Sequence, residues 1–571
     1  MRTLSRRLSL WLALFAVLAP ACTDDEAGTE PGPADERPRD EPGEPGEDAP
    51  GDTSGGETDG EGDPDDGGET PTPEEPGVSL LALSAEGAIW SVPFDPDQRE
   101  YELTVPLLIS SVSFVAEIGP GAVVSIDGVE LAASGSVDVE LPKGETTLVT
   151  VAARGADGSS VEYSLAVTRG VTAASYVKPS RLAEGLGFGF RLAADGDVLV
   201  VGAAGGAFVF ERDALGAVRE AQELVPELAT TGFGAAVAVA GDYAFVGART
   251  PGRVFAYRRT ASEWESKQTL APPELEDAQD FGLSVASNGD VLVVGAPGAD
   301  RAFVYRRDAD GFYELEDTLR PGGSGSVSFG GAVAISPGGR IAVGALYDDS
   351  DVRGTNGKPT GKGARSSGAV YVFDRREDGL WGRTWFVKAS NADASDGFGY
   401  DVAIDDRHLV VGAWSEGSGG ADPDDNSVGG AGAAYVFEHT FDWIRETGYL
   451  KSPTPREFEA FGKAVAVEGG VIAVGTDSDS TFGVGIDPPE NDGYAPGTGA
   501  VVLFYLVDGA WTRGELIKAS NAEDYDRFGK SVALSRSRVF VGAMTESGGS
   551  TGVGGDQSNN DVPRSGAVYL Y

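Results

Sequence analysis

The sequence predicts an all-β protein: a small antiparallel sandwich followed by a seven-bladed β-propeller. Three observations predict it. Phe-Gly recurs at Phe188, Phe233, Phe281, Phe329, Phe398, Phe461 and Phe528, and seven copies of one motif describe a repeat fold. Each copy is followed by an alternating apolar segment, a tight turn and Val-Gly-Ala or a near copy, from Val201-Gly202-Ala203 to Val541-Gly542-Ala543. A third strand follows, such as Gly368 to Phe373, and then a fourth, such as Trp381 to Val387, so that each repeat supplies the four short strands of a propeller blade.

The chain of 571 residues opens with Arg2, Arg6 and Arg7 before an apolar run from Leu8 to Ala19. That run is shorter than the roughly 20 residues of a membrane span and reads as an export signal, residues 1–22. It ends at Cys22, the single cysteine. Leu18-Ala19-Pro20-Ala21-Cys22 resembles a bacterial lipobox, although Ala19 stands where that motif carries Leu. The resemblance implies lipid attachment at Cys22, and so a cell-envelope protein held at a bacterial outer membrane, on its periplasmic side or at the cell surface.

Residues 23–77 hold 21 acidic residues against Arg37 and Arg39, in Gly- and Pro-rich order with almost no large apolar side chain. Such a segment cannot bury enough surface to fold and is expected to be a disordered acidic linker. The net charge of -46 repels nucleic acid and anionic lipid, so the only membrane contact expected is the lipid anchor.

Residues 78–170 turn to period-two alternation, as in Tyr101 to Val105, Val112 to Val115 and Tyr163 to Val167, the pattern of a small antiparallel sandwich. The landmarks Leu80, Leu83, Phe94-Asp95-Pro96, Tyr101, Val105-Pro106, Lys143-Gly144 and Tyr163 to Arg169 resemble the bacterial cadherin-like β-sandwich domain.

The propeller is expected over residues 171–571. In its family, Phe-Gly with Val-Gly-Ala resembles the FG-GAP repeat of the integrin α-subunit head and its bacterial relatives. The last repeat stops at Tyr571 after its third strand. Ser175 to Ser180 resembles the fourth strands around Lys388 and Lys518, and Lys178, Lys388, Lys451 and Lys518 all lie ten positions before the next Phe-Gly. Residues 174–182 are therefore expected to pair with 566–571 and close the ring.

The integrin family carries Asp-x-Asp-x-Asp-Gly calcium loops between strands one and two, and the short turns here, such as Arg536-Ser537-Arg538, depart from that pattern. Extra length lies instead between strands two and three of blades four to seven, at 346–367, 414–432, 477–498 and 544–565. Their oxygen-bearing candidates for Ca²⁺ are Asp348, Asp349, Asp351, Asp422, Asp424, Asp425, Asp477, Asp479, Asp556 and Asp561, although solvated turn residues look the same in sequence. Alternation of strand direction puts the four long loops on one face, where the resemblance implies ligand recognition. Tyr347, Trp414, Phe482 and Tyr494 are the candidate contacts to a protein or glycan.

Catalytic residues are scarce. With one cysteine, and with His408 and His439 both reading as exposed turn residues, no enzyme is expected. A binding or adhesion protein is the leading reading. A structural envelope protein without a specific ligand, and a carbohydrate-active enzyme using two carboxylates, are the alternatives.

Overall fold

The repeat resolves into seven antiparallel sheets, preceded by a two-sheet sandwich. The computed structural model describes residues 78–131, 135–170, 175–274, 279–322, 327–356, 358–489 and 493–571. The export signal, Cys22 and the acidic linker lie outside the described residues. The described residues fall in one compact unit, Glu74–Tyr571.

In the sandwich, Leu80–Ala85, Ser111–Ile118 and Ser136–Glu140 form one sheet, and six strands ending with Ser160–Arg169 contribute to the other. Alternate residues such as Tyr101, Leu103 and Val105, with Tyr163 and Leu165 beside them in the same sheet, pack with Phe114 of the facing sheet in the core. The sandwich is not wholly antiparallel: Glu100–Val105 runs parallel to Ser160–Arg169.

Blade one comprises Arg191–Asp195, Val198–Ala203, Gly206–Arg212 and Val218–Leu224, and blades two to six repeat this order over 231–270, 284–319, 329–387, 398–450 and 464–518. Blade seven takes Phe528–Ser535, Arg538–Ala543 and Ala567–Leu570, and its fourth strand is Ser175–Lys178, with Tyr176 opposite Tyr569. The innermost strands of neighbouring blades touch in turn, and Arg191–Asp195 touches Phe528–Ser535, so the seven sheets form a closed ring.

The two motif glycines account for this closeness. A Cβ on the glycine of Val-Gly-Ala would collide with the carbonyl oxygen of the Phe-Gly glycine in the next blade: Gly202 on Gly234, Gly247 on Gly282, and so on to Gly542 on Gly189 across the closure. Each Phe ring packs on the third strand of its own blade, as Phe188 does on Phe208 at 5.5 Å and Phe398 on Tyr435 at 5.4 Å. The N–H groups of Phe188, Phe398, Phe461 and Phe528, meanwhile, donate to the Ser565, Ser367, Ala431 and Thr498 carbonyls of the preceding blade, so these four pin their seams. Second strands such as Val198–Ala203 are buried throughout, because neighbouring blades cover both of their faces.

The sandwich meets the propeller through Trp90, whose N–H donates to the Leu215 carbonyl at 2.9 Å, and through Lys143, which pairs with Asp487 at 2.7 Å and Glu515 at 3.0 Å. Leu215 belongs to a turn between strands three and four. Those turns lie opposite the long loops.

Candidate functional site

In blades four to seven the third residue after Val-Gly-Ala, or its variant, is acidic: Asp348, Glu416, Asp479 and Glu546. Each carboxylate turns inward to a lysine from the fourth strand. Lys388 Nζ lies 3.3 Å from Asp348, Lys451 Nζ 2.8 Å from Glu416 and Lys178 Nζ 2.7 Å from Glu546, while Lys518 pairs with Asp479. These are the lysines ten positions before Phe-Gly.

The same ammonium groups donate to the point where each loop re-enters the sheet: Ser367 Oγ at 2.6 Å, the Gly432 carbonyl at 2.6 Å, Thr498 Oγ1 at 2.9 Å and Ser565 Oγ at 2.7 Å. Lys178, Lys388 and Lys518 are completely buried. Burial pushes their pKa values down and the paired acids pull them back up. Both ends of every long loop are thus fastened to one buried cation.

Each loop also binds the crossing into the next blade. Ser395, Phe458, Tyr525 and Gly185 donate backbone N–H groups to Arg365, Gly429, Pro496 and Pro563. Arg353 joins the crossing at Asp393, 3.1 Å, to the next loop at Asp424, 3.5 Å. The loops of blades four to seven form one continuous raised rim.

The candidate aromatics divide into two pairs. Tyr347 is 50% exposed in the loop of blade four, and Trp414 is half-buried, 5.9 Å from Tyr400 at the propeller axis. Phe482 and Tyr494, 62% and 72% exposed, lie on the outer part of the loop of blade six, where Phe482 lines a groove with Pro453, Arg456, Pro488 and Arg513. Two further aromatics that were not among the sequence candidates, Phe458 and Tyr525, are 64% and 59% exposed beside the rim. Both are held at left-handed φ, 62° and 67°. The signal was their place three residues before Phe-Gly, where other blades carry Gly185 or Ser395.

The candidate calcium ligands are dispersed. Asp348 and Asp479 face lysines, and Asp477 lies 2.8 Å from Lys463. Asp349 accepts Ser366 N–H at 2.8 Å, and Asp351 lies against Gly361 and Gly363. Asp422 and Asp425 accept the N–H groups of Asp424 and Ser427, Asp556 accepts from Ser558, and the Asp561 N–H donates to Asn559. Among the described residues no three His, Cys, Asp or Glu side chains converge as a metal site would require.

The histidines are not exposed turn residues. Both are 5% exposed. His408 lies edge-on to Trp511 at 5.1 Å, a residue of the next blade. His439 Nδ1 accepts from Arg340 at 2.9 Å and its Nε2 donates to the Asp405 carbonyl at 3.1 Å. Burial and the Arg340 charge push the pKa of His439 down, which keeps it the neutral acceptor that a guanidinium requires.

Comparison with known proteins gives two family matches: residues 78–170 to the cadherin-like beta sandwich domain, and residues 264–309, 381–437 and 511–571 to the FG-GAP repeat. No curated protein matches the sequence. Similar solved structures include a protein from Lactobacillus plantarum, 13% identical over 65% of this chain and 89% of that one, with a TM-score of 0.39. Others are a putative 6-phosphogluconolactonase from Bacteroides uniformis (12% identical, 64% and 96% covered, TM-score 0.39) and a functionally unknown protein from Desulfotomaculum acetoxidans (11%, 66% and 94%, 0.36). At these scores none of the three informs function. The two matched domain types suggest an extracellular protein of adhesion or binding type, and among the described residues no helix is long and apolar enough to cross a membrane. The chain carries a cadherin-like beta sandwich domain over 78–170 and FG-GAP repeats within 264–571.

Proposed function

We propose that the protein is an envelope-tethered binding protein, attached through lipid on Cys22, that recognises a protein or glycan with the loop-rich face of its propeller and catalyses no reaction. One observation carries this reading. Four long loops on consecutive blades are each fixed at both ends by a buried lysine, so the rim has one shape rather than an ensemble. A preorganised surface loses less conformational entropy when it binds than a mobile one does. Exposed Tyr347, Phe482, Tyr494, Phe458 and Tyr525 on that rim supply large contact area with few rotatable bonds. The commitment of both histidines to structural contacts favours binding over catalysis.

The test is to shorten the four loops to the turn of blade two and screen against glycan and protein arrays. Shortening removes Asp348, Glu416, Asp479 and Glu546, so Lys178, Lys388, Lys451 and Lys518 are changed to Leu in the same variant to avoid stranded buried charges. The expected result is a folded propeller without array binding, and retained affinity would overturn the reading. In a second arm, Cys22→Ser releases the protein from membranes and abolishes labelling by a fatty-acid analogue; persisting label refutes the anchor.

A further inference from the structure

Where the propeller axis opens among the long loops, the beginnings of all seven innermost strands enclose a cavity of about 210 Å³. Its charged and aromatic lining comes from consecutive blades around the closure: Tyr400 and Asp401 of blade five, Lys463 of blade six, Lys530 of blade seven and Arg191 of blade one. In a chain of net charge -46, this is a local excess of positive charge.

Two carboxylates stand against these cations. Asp477 is 2.8 Å from Lys463, 3.6 Å from Lys530 and 3.9 Å from Arg527, so one anion is divided among three cations. Burial opposes its charge, but Lys530 and Lys463 outweigh burial and hold Asp477 at about 2. Asp401 accepts the Val465 N–H at 2.9 Å, and its burial pushes its pKa up. Arg191 has no carboxylate within 4.0 Å among the described residues; its guanidinium lies over the Phe190 ring at 4.6 Å and makes a 3.4 Å contact with the Phe190 carbonyl.

The cations are also held in place by aromatic faces. Lys530 stands 5.6 Å from the Phe190 ring, and Lys463 stands 5.8 Å from Trp414. Burial lowers Lys530 to about 8, with Asp477 opposing and Arg191, Lys463 and Arg527 adding to the shift. Close cations on apolar supports, with too few acids to balance them, repel one another unless an anion sits between them.

We propose that this axial mouth binds an oxyanion borne by the ligand, with the Arg191 guanidinium as its forked donor and Lys463 and Lys530 beside it. The proposal rests on the reading of the loop-rich face as the binding face and supplies the chemistry of its ligand: a carboxylate, sulfate or phosphate group directed at the axis, with the aromatics around it taking the rest. The fork of a guanidinium matches two oxygens of such a group, and a water-poor site strengthens the pairing. The cavity volume suits one anionic group with part of the ring or side chain that carries it.

The test is calorimetric titration of the full chain at low ionic strength with sodium sulfate, inorganic phosphate and glucuronate, with glucose as the neutral control. At least one anion is expected to bind and glucose is not. A preference for glucuronate over the tetrahedral anions marks a uronate-type carboxylate as the source, and the reverse marks a sulfate or phosphate ester. Arg191→Gln is expected to weaken binding about tenfold or more, because among the described residues Arg191 is the one of these three cavity cations with no carboxylate within 4.0 Å. Lys530→Met, which keeps the volume and relieves repulsion, provides a second variant that retains the fold and is expected to weaken binding about fivefold. Arg219→Gln, at the solvent-exposed edge of blade one, should leave it unchanged. No binding of any anion, or binding unmoved by both axial variants, overturns the proposal. Anion binding that survives in a protein whose array ligands also survive loop shortening supports the axial site and overturns only the rim reading. Lost array binding without any anion binding does the opposite.

Discussion

Blades one to three and blades four to seven share one motif yet end their outer strands differently. In the first group the last buried residues are Leu224, Leu270 and Leu319, and the residues that follow, Val225, Ala271 and Arg320, are exposed. In the second group the residues following Val387, Leu450, Ile517 and Val177 are lysines folded beneath a long loop. The short connections, such as Ala204-Gly205, need no fastening. The long ones are Gly-rich and carry few apolar side chains to bury, so a hydrophobic anchor is not open to them. A buried charge must find its partner or be heavily penalised, and a loop fastened by one therefore has a single seat. In this propeller ion pairs hold the variable loops, while apolar packing holds the blades.

The ring is most vulnerable at blade seven, which joins the two groups. Blade seven borrows Ser175–Lys178 as its fourth strand, so deleting residues 171–182 removes both the pairing with Ala567–Leu570 and the partner of Glu546. The expected outcome is loss of a single cooperative unfolding transition for the propeller, read by calorimetry and by circular dichroism in urea. An unchanged melting profile would mean that the ring does not depend on this closure.

A smaller effect separates fastening from packing. Lys518→Met leaves Asp479 buried without its cation and is expected to cost about 3 to 5 kcal/mol, whereas Lys518→Met with Asp479→Leu should recover most of that loss. Changing the exposed counterpart in blade one, Val225→Thr, should shift stability by less than about 0.5 kcal/mol. Urea midpoints of the three variants decide the matter. A single variant no worse than the double would show that the pair fastens nothing.

The blades were legible in the sequence because Phe-Gly and Val-Gly-Ala each mark a backbone contact between neighbours, which tolerates no other residue. The lysine spacing revealed equivalent outer strands, including one before the first repeat, but not why a lysine stands there. Its partner lies in another strand connection, and Asp348 and Asp479 read in isolation as metal ligands. His408 and His439 looked like turn residues because what buries them, Trp511 and Arg340, comes from neighbouring blades. The axial cluster was the least legible: Arg191, Lys463 and Lys530 are unremarkable singly and meet only when the ring closes. Loop residues carry no periodicity, so the sequence could not separate Tyr347 and Trp414, near the axis, from Phe482 and Tyr494, on the outer loop.

A finer difference lies two residues before Phe-Gly, in the crossings between blades. At the entries to blades one to four that place holds Leu186, Thr231, Gln279 and Val327, and at the next three it holds Asp396, Glu459 and Asp526. Asp396 accepts the Asp393 N–H at 2.7 Å and Asp526 the Glu523 N–H at 2.8 Å, so each caps the turn that runs under its rim loop. Burial, with neighbouring acids adding to it, pushes both carboxyls up to about 7 against those hydrogen bonds and the nearby lysines. In the unfolded chain they titrate near 3.8. Between those values the folded state holds protons that the unfolded state has lost. The stability this contributes is therefore fully present below about pH 4 and is lost as pH rises through 7. Asp396→Asn and Asp526→Asn keep an acceptor oxygen for the cap and remove the titration. Each variant should match the parent near pH 4 and exceed it by about 1 to 2 kcal/mol at pH 8, a gain that urea unfolding at the two pH values can resolve. Leu186 and Val327 occupy the same place without a charge, so Leu186→Ala should change stability by the same amount at both pH values. Parallel pH profiles for parent and aspartate variants would show that these carboxyls are already ionised in the fold, and that acidic and uncharged crossings meet their blades on equal electrostatic terms.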